Sequence, residues 1–264
     1  MRVHQILFNF TNKKLPNEIA IKKAIHSIRS GIPESWKYTL WDLPTAIKFV
    51  SQEYPYFSGI FEMVHQHPIV LCDFFRYLLM YHYGGIYLDL DFVNIQLSDF
   101  FTDLYEKKVL YTPMVTLPDV ILSEEWENSS DTTNTLHNGV LISRTCKHPF
   151  WMDLLILIVN KIIVKGETPR THNEVYETTG PKLLCSVMKQ RISIYTNVVI
   201  LPYPYFCPYI AENSTEKVVC NGNNKAPSTQ THRWVFPQHE MATKTHFPIS
   251  YAVCVSQGRS MWKH

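Results

Sequence analysis

Residues Leu71–Phe92 read LCDFFRYLLMYHYGGIYLDLDF. An apolar stretch comes first, then a Gly-Gly pair, then a short alternating run closed by two aspartates. Asp73, Arg76, Tyr77 and Met80 recur at three- and four-residue spacing, which puts them on one face of a helix. Gly84 and Gly85 stand where a helix end takes a left-handed backbone. Ile86, Leu88, Leu90 and Phe92 then alternate with Tyr87, Asp89 and Asp91. A strand here buries the first set and carries both carboxylates on its other face. Carboxylates sharing a face repel unless a positive charge lies between them. A hard divalent cation that also bridges to phosphate oxygens is the usual answer.

Alone, Asp-x-Asp is common, and a solvated strand end would account for it. The order Asp-x-x-Arg helix, Gly-Gly stop, Tyr-Leu-Asp-Leu-Asp strand is far more specific. It resembles the DxD sugar-binding region of glycosyltransferase family 32, the group of the yeast initiating α-1,6-mannosyltransferase. The clostridial glucosylating toxins are more distant relatives. Shorter segments carry the same resemblance: His4-Gln5-Ile6, Ser35-Trp36 through Leu40-Trp41, His137-Asn138-Gly139, His148-Pro149-Phe150 and Thr179-Gly180-Pro181.

Outward from the diagnostic stretch, strand and helix patterns alternate. Strands are expected at 3–10, 35–41, 109–112 and 137–143, and helices at 17–29, 43–54 and from 149 and 181 onward. Such alternation gives an α/β protein with a mostly parallel central sheet and helices on both faces. The resemblance implies the GT-A-type nucleotide-sugar-binding variant, as one domain over 1–264. Residues 117–135 are polar and acidic and read as a surface insertion. Residues 250–264 resemble the family's C-terminal lid.

The chain has 264 residues, 45% hydrophobic, enough for one large core. Its net charge is only +2, and its paired lysines are scattered, so nothing supports nucleic-acid binding. The opening MRVHQILFNF lacks the apolar core of a signal peptide. The longest apolar run, 152–164, is too short to span a bilayer, although it is compatible with peripheral membrane contact. Golgi members of the family carry an N-terminal anchor, so the expectation is a bacterial or viral enzyme in the cytoplasm (the host's, if viral). Six cysteines without a CxxC pair read as reduced thiols.

The resemblance implies roles for individual residues. Asp91 binds the divalent metal, Mn²⁺ or Mg²⁺, and Asp89 contacts ribose and sugar and reaches the metal through water. Asp73 and Arg76 bind hydroxyls of the donor sugar. Tyr87 is read either as a nucleotide contact or as core, and Asn138 either as a pocket residue or as a turn signal. His137 and His148 read as structural. Ser260 and Trp262 match the lid element that covers the donor. The family's metal-binding His falls at Cys254 and Val255. Its base-stacking Trp falls at Leu7, with Phe8 and Trp41 as the nearby rings.

The implied activity is retaining transfer of a hexose from a nucleoside diphosphate sugar, UDP- or GDP-linked, to a hydroxyl of a glycan, lipid or protein. A catalytically weak nucleotide-sugar or carbohydrate-binding module is the alternative. A metal-dependent phosphohydrolase is disfavoured by the motif order.

Overall fold

The computed structural model describes residues 1–10, 18–63, 67–106, 117–125, 135–191, 193–195, 197–202, 205–206 and 251–254. In chain order the elements are β1 (Arg2–Ile6), α1 (Glu18–Gly31), β2 (Lys37–Trp41), α2 (Leu43–Glu53), α3 (Ser58–Glu62), α4 (Pro68–Tyr83), β3 (Gly85–Leu88) and β4 (Phe92–Asn94). There follow α5 (Phe100–Tyr105), β5 (Val120–Glu125), β6 (Thr135–Ser143), α6 (Pro149–Val159) with a π-helical turn at Asn160–Val164, α7 (His172–Thr178), α8 (Pro181–Arg191), β7 (Val198–Leu201) and β8 (Ala252–Cys254).

Six strands form one sheet in the order β2-β1-β3-β6-β5-β7, and β4 pairs separately with β8. β6 runs antiparallel to both of its neighbours, while the pairings β2-β1, β1-β3 and β5-β7 are parallel. The sheet is therefore largely parallel with one reversed strand. Residue alternation gives it two buried faces. Val3, Ile86, Leu88, Ile121, Val140 and Ile142 face a core closed by Ile28 of α1 and Phe100 and Leu104 of α5. Tyr87, Val120, Leu122 and Leu141 face a larger core built by α2, α4, α6 and α8. Helices thus cover both faces, as expected.

Helix α4 is buried from Val70 through Met80, which explains why it is apolar all round. Burying rings such as Phe74 and Phe75 contributes about 1.5–3 kcal/mol each. The same burial makes Asp73 and Arg76, 3% and 6% exposed, charges inside the core. The helix stops where the glycines require it. Gly84 has φ 62° and Gly85 φ 89°, and a Cβ on Gly85 would lie 2.3 Å from the Arg2 carbonyl oxygen. The bare backbone lets β3 slot in beside β1.

Three expectations need correction. The first strand ends at Ile6, and Phe8 beyond it is fully buried, in ring contact with Phe10 and Phe75. The diagnostic strand ends at Leu88. Asp89–Asp91 form a turn, closed by the Phe92 N–H donating to the Asp89 carbonyl at 3.2 Å, so the carboxylates do not share a strand face. Within 117–135, where an insertion is expected, Val120–Glu125 is a strand inside the main sheet. Its apolar signal is only three residues, Val-Ile-Leu, between polar flanks. Strand 109–112, residues 126–134, and Ser260 and Trp262 of the lid lie outside the described residues.

Gly85→Ala should destabilise the protein by roughly 2–4 kcal/mol, since strain at positive φ adds to a backbone clash. Gly166 also has positive φ (68°), but a Cβ there meets nothing within 4 Å. Gly166→Ala should cost about 1 kcal/mol. Urea unfolding of both variants checks the order; equal losses would contradict the close approach.

Candidate functional site

Arg76 lies at the centre of a polar cluster inside an apolar helix. One terminal nitrogen, Nη1, donates to the Asn138 carbonyl at 2.8 Å and lies 3.3 Å from Asp89 Oδ1. The other, Nη2, lies 3.4 Å from Asp73 Oδ1, and the guanidinium stands 4.9 Å from the centre of the Tyr87 ring. Burial alone would pull its pKa down, but Asp89, Tyr87 and Asp73 more than offset this and hold the cation.

Asp73 accepts from the Thr179 hydroxyl at 2.7 Å and the Asn138 side-chain amide at 3.0 Å. Burial pushes its carboxyl above the usual range, while Arg76, Thr179 and Asn138 act the other way. Tyr77 donates to the Thr179 carbonyl at 3.0 Å and so holds the residue that holds Asp73. Thr179 was legible only as a helix-entry signal. Its hydroxyl contact spans 106 residues of sequence, which no local pattern reveals.

The Asp89 turn is held from several sides. Its N–H donates to the Gly139 carbonyl at 2.8 Å. Its carbonyl accepts from the Gln5 side-chain amide at 3.1 Å, and Gln5 in turn accepts from the Tyr38 hydroxyl at 2.7 Å. Tyr87 donates to Asp89 Oδ1 at 2.5 Å. The ring of Tyr87 is 2% exposed, so it positions the aspartate from beneath and presents no face to a nucleotide.

A bulge in β6 makes these contacts available. His137 pairs with Ser123 of β5, yet the next paired residue on β6 is Leu141, opposite Leu122. Asn138, Gly139 and Val140 are thereby looped out of the β5 ladder, as is common beside functional sites. The Asn138 carbonyl accepts from Arg76, while the Gly139 carbonyl accepts from the Asp89 N–H in line with the β3–β6 register. Asn-Gly is thus both a backbone irregularity and a site element. A Cβ on Gly139 would lie 2.4 Å from His137 Cε1 and 2.6 Å from Asp89 Oδ2, so a larger residue would not fit.

The structure therefore brings Asp73, Arg76, Tyr87, Asp89 and Asn138 together, with Asp91 two residues along the same turn. Asp73 and Arg76 were expected to meet sugar hydroxyls; both are buried, and protein partners already engage them. Phe8 is core. Trp41, 6% exposed, donates its indole N–H to His4 Nδ1 at 3.2 Å, so it offers no base platform either. Leu7 is half-buried, and its N–H donates to the Trp41 carbonyl at 2.8 Å. Cys254 pairs in register with Phe92, which places the backbone of the family's histidine position beside the Asp turn.

A divalent cation fits this donor chemistry in part. Carboxylate oxygens suit Mg²⁺ or Mn²⁺, and Asp89 and Asp91 are both half-buried. Asp89 is already shared with Arg76 and Tyr87. Among the described residues no cluster of three or more His, Cys, Asp or Glu side chains could hold a metal. The remaining ligands would have to come from elsewhere, and phosphate oxygens and water are the natural source.

The site is thus a largely parallel sheet whose strand β3 runs into an Asp-x-Asp turn over a buried Asp–Arg pair. Residues 19–104 match the family described as "Glycosyltransferase sugar-binding region containing DXD motif", and the chain carries that region. Over 92 residues it is 37% identical to "Mannosyl phosphorylinositol ceramide synthase SUR1" of Saccharomyces cerevisiae, covering 29% of this chain and 24% of that protein. Over 71 residues it is 35% identical to "Inositol phosphoceramide mannosyltransferase 1" of Schizosaccharomyces pombe, covering 25% of this chain and 21% of that one. The match thus spans about a quarter of the length of these curated relatives. Among solved structures, "PaToxG Glycosyltransferase" superposes with a TM-score of 0.48 at 16% identity, covering 73% of this chain and 69% of that one.

Thr179→Val should cost about 1–3 kcal/mol at neutral pH, because a buried carboxylate loses a donor. The lost donor stabilised the ionised form, so the Asp73 pKa rises further in the variant. The penalty is present where Asp73 is ionised and is relieved as pH falls through its raised pKa. Chemical denaturation from pH 8 down to pH 5 should therefore show the gap to wild type narrowing. A gap that stayed constant on acidification would assign the loss to packing.

Proposed function

We propose that this chain is a retaining glycosyltransferase that moves a hexose from a nucleoside diphosphate sugar to an acceptor hydroxyl with a divalent cation. The observation that carries the reading is the buried Asp73–Arg76–Asn138 network locked onto the Asp89–Asp91 turn. Such a network fixes the half-buried Asp89 carboxylate with a precision that a solvated loop would lack. Asp91, assisted by Asp89, would hold the cation. When bound, Mn²⁺ or Mg²⁺ neutralises charge on the departing diphosphate.

The protein's own part is positioning. Arg76 limits repulsion between Asp73 and Asp89 and fixes the carboxylate nearest the donor. Tyr87 and Gln5 hold the same residue from beneath, so the turn reorganises little when charge develops. Asn138, itself half-buried, keeps its amide on Asp73, where a sugar hydroxyl would share it. Retention is part of this proposal, as a front-face displacement driven by stabilising the leaving group. Names of the curated relatives make mannose and inositol phosphoceramide acceptors the first to test, with UDP- and GDP-sugars compared as donors.

A thermal-shift panel of UDP- and GDP-sugars, with and without Mn²⁺, tests donor binding, because a ligand selective for the native state raises Tm. Asp89→Ala with Asp91→Ala should abolish the Mn²⁺-dependent shift and turnover while the core stays folded. Turnover retained by the double variant would refute the assignment. Stabilisation without turnover on any acceptor would point to a binding module.

Arg76→Lys should lower kcat/KM about 10²-fold, since a point charge cannot span the Asn138 carbonyl and two carboxylates as a planar fork does. Wild-type kinetics in that variant would reduce Arg76 to a helix residue without influence on the site.

A further inference from the structure

His137 reads from sequence as a structural residue, but its surroundings assign it more. The ring stands over Gly139 beside Asp89, since a Cβ on that glycine would touch both His137 Cε1 and Asp89 Oδ2. It packs edge-on against Phe92, centroids 5.6 Å apart at 78°, which fixes its orientation. Nδ1 accepts from the Gly139 N–H at 3.0 Å. A neutral imidazole whose Nδ1 accepts must carry its proton on Nε2. Among the described residues Nε2 has no hydrogen-bond partner. The residue is half-buried.

An N–H donor with a locked tautomer, held beside the Asp turn and without an acceptor among the described residues, is built to meet an oxygen from outside. It cannot ligate the cation in this tautomer, because the nitrogen with a free lone pair is already engaged. We propose that His137 Nε2–H donates to a phosphoryl oxygen of the nucleoside diphosphate, the anionic group that a cation on Asp91 would draw to this spot. Phosphoryl oxygens are favoured over sugar hydroxyls because a donor-only group gains most from an anionic acceptor. This inference rests on the donor-sugar reading above.

The test uses two substitutions that divide the ring's functions. In His137→Asn the side-chain oxygen can replace Nδ1 as acceptor for Gly139, but the Nε2 donor is lost. In His137→Gln the amide reaches the Nε2 position, but the acceptor at Nδ1 is lost. Binding of UDP and of GDP in the presence of Mn²⁺ is measured by calorimetry for wild type and both variants, with Tm followed alongside. His137→Asn should keep its Tm yet bind the nucleoside diphosphate about 10- to 100-fold more weakly. His137→Gln should bind within a few-fold of wild type, even with a lower Tm. The opposite order, equal weakening in both, or wild-type affinity in both would overturn the contact and leave the imidazole a brace for the β6 bulge. If wild type bound neither nucleotide, the donor-sugar reading itself would fall, and this inference with it.

Discussion

A single guanidinium in an apolar helix is the constraint on which the site depends. Arg76 is surrounded by rings and aliphatic side chains, and a bare charge there would be costly. Its neighbours are drawn from three separate parts of the chain: Asp73 from its own helix, Asp89 from the turn after β3, and Asn138 from β6. One cation thus serves two carboxylates, and the sequence sets Asp91 two residues beyond the second of them.

The reversed strand β6 is what makes this arrangement possible. A regular central strand would commit every carbonyl to its neighbours. By looping out Asn138 to Val140 from β5, the sheet leaves the Asn138 carbonyl to Arg76, while Gly139 stays bonded to Asp89 on the β3 side. The Asn138 carbonyl and the Asp89 backbone are thus paired within the protein, and the aspartate turn is tied to the central sheet. Thr179, Gln5, Tyr38 and Tyr77 form an outer ring of contacts that keeps the inner ones in place.

Much of this was legible in the sequence. The three- and four-residue spacing of Asp73, Arg76, Tyr77 and Met80, the Gly-Gly stop and the paired aspartates gave the helix, its end and the location of the site. Where the reading failed, long-range contacts had overridden local pattern. Alternation from Ile86 to Phe92 suggested a continuous strand, but the Asp89 carbonyl accepts from the Phe92 N–H and the Gln5 side chain, and the chain turns there. Val120–Glu125 looked like an insertion because a central strand with only three apolar residues is hard to separate from a loop. Phe8 and Tyr87 were candidates for ligand contact because sequence reports ring chemistry but not burial. Gln5 and Thr179 gave no signal of their tasks, which depend on partners 84 and 106 residues away.

The span recognisable by family likeness, 19–104, omits Gln5, Asn138, Gly139 and Thr179. It holds the charged residues of the cluster but few of the groups that neutralise or orient them. Such a segment is therefore not an independent module. Excised, it would carry Asp73 and Arg76 on a helix that has lost the strands and polar partners covering it, and would have to hydrate them by unfolding. The most recognisable part of this chain is the part least able to stand alone, and any natural rearrangement that kept the motif would have to keep both flanks as well.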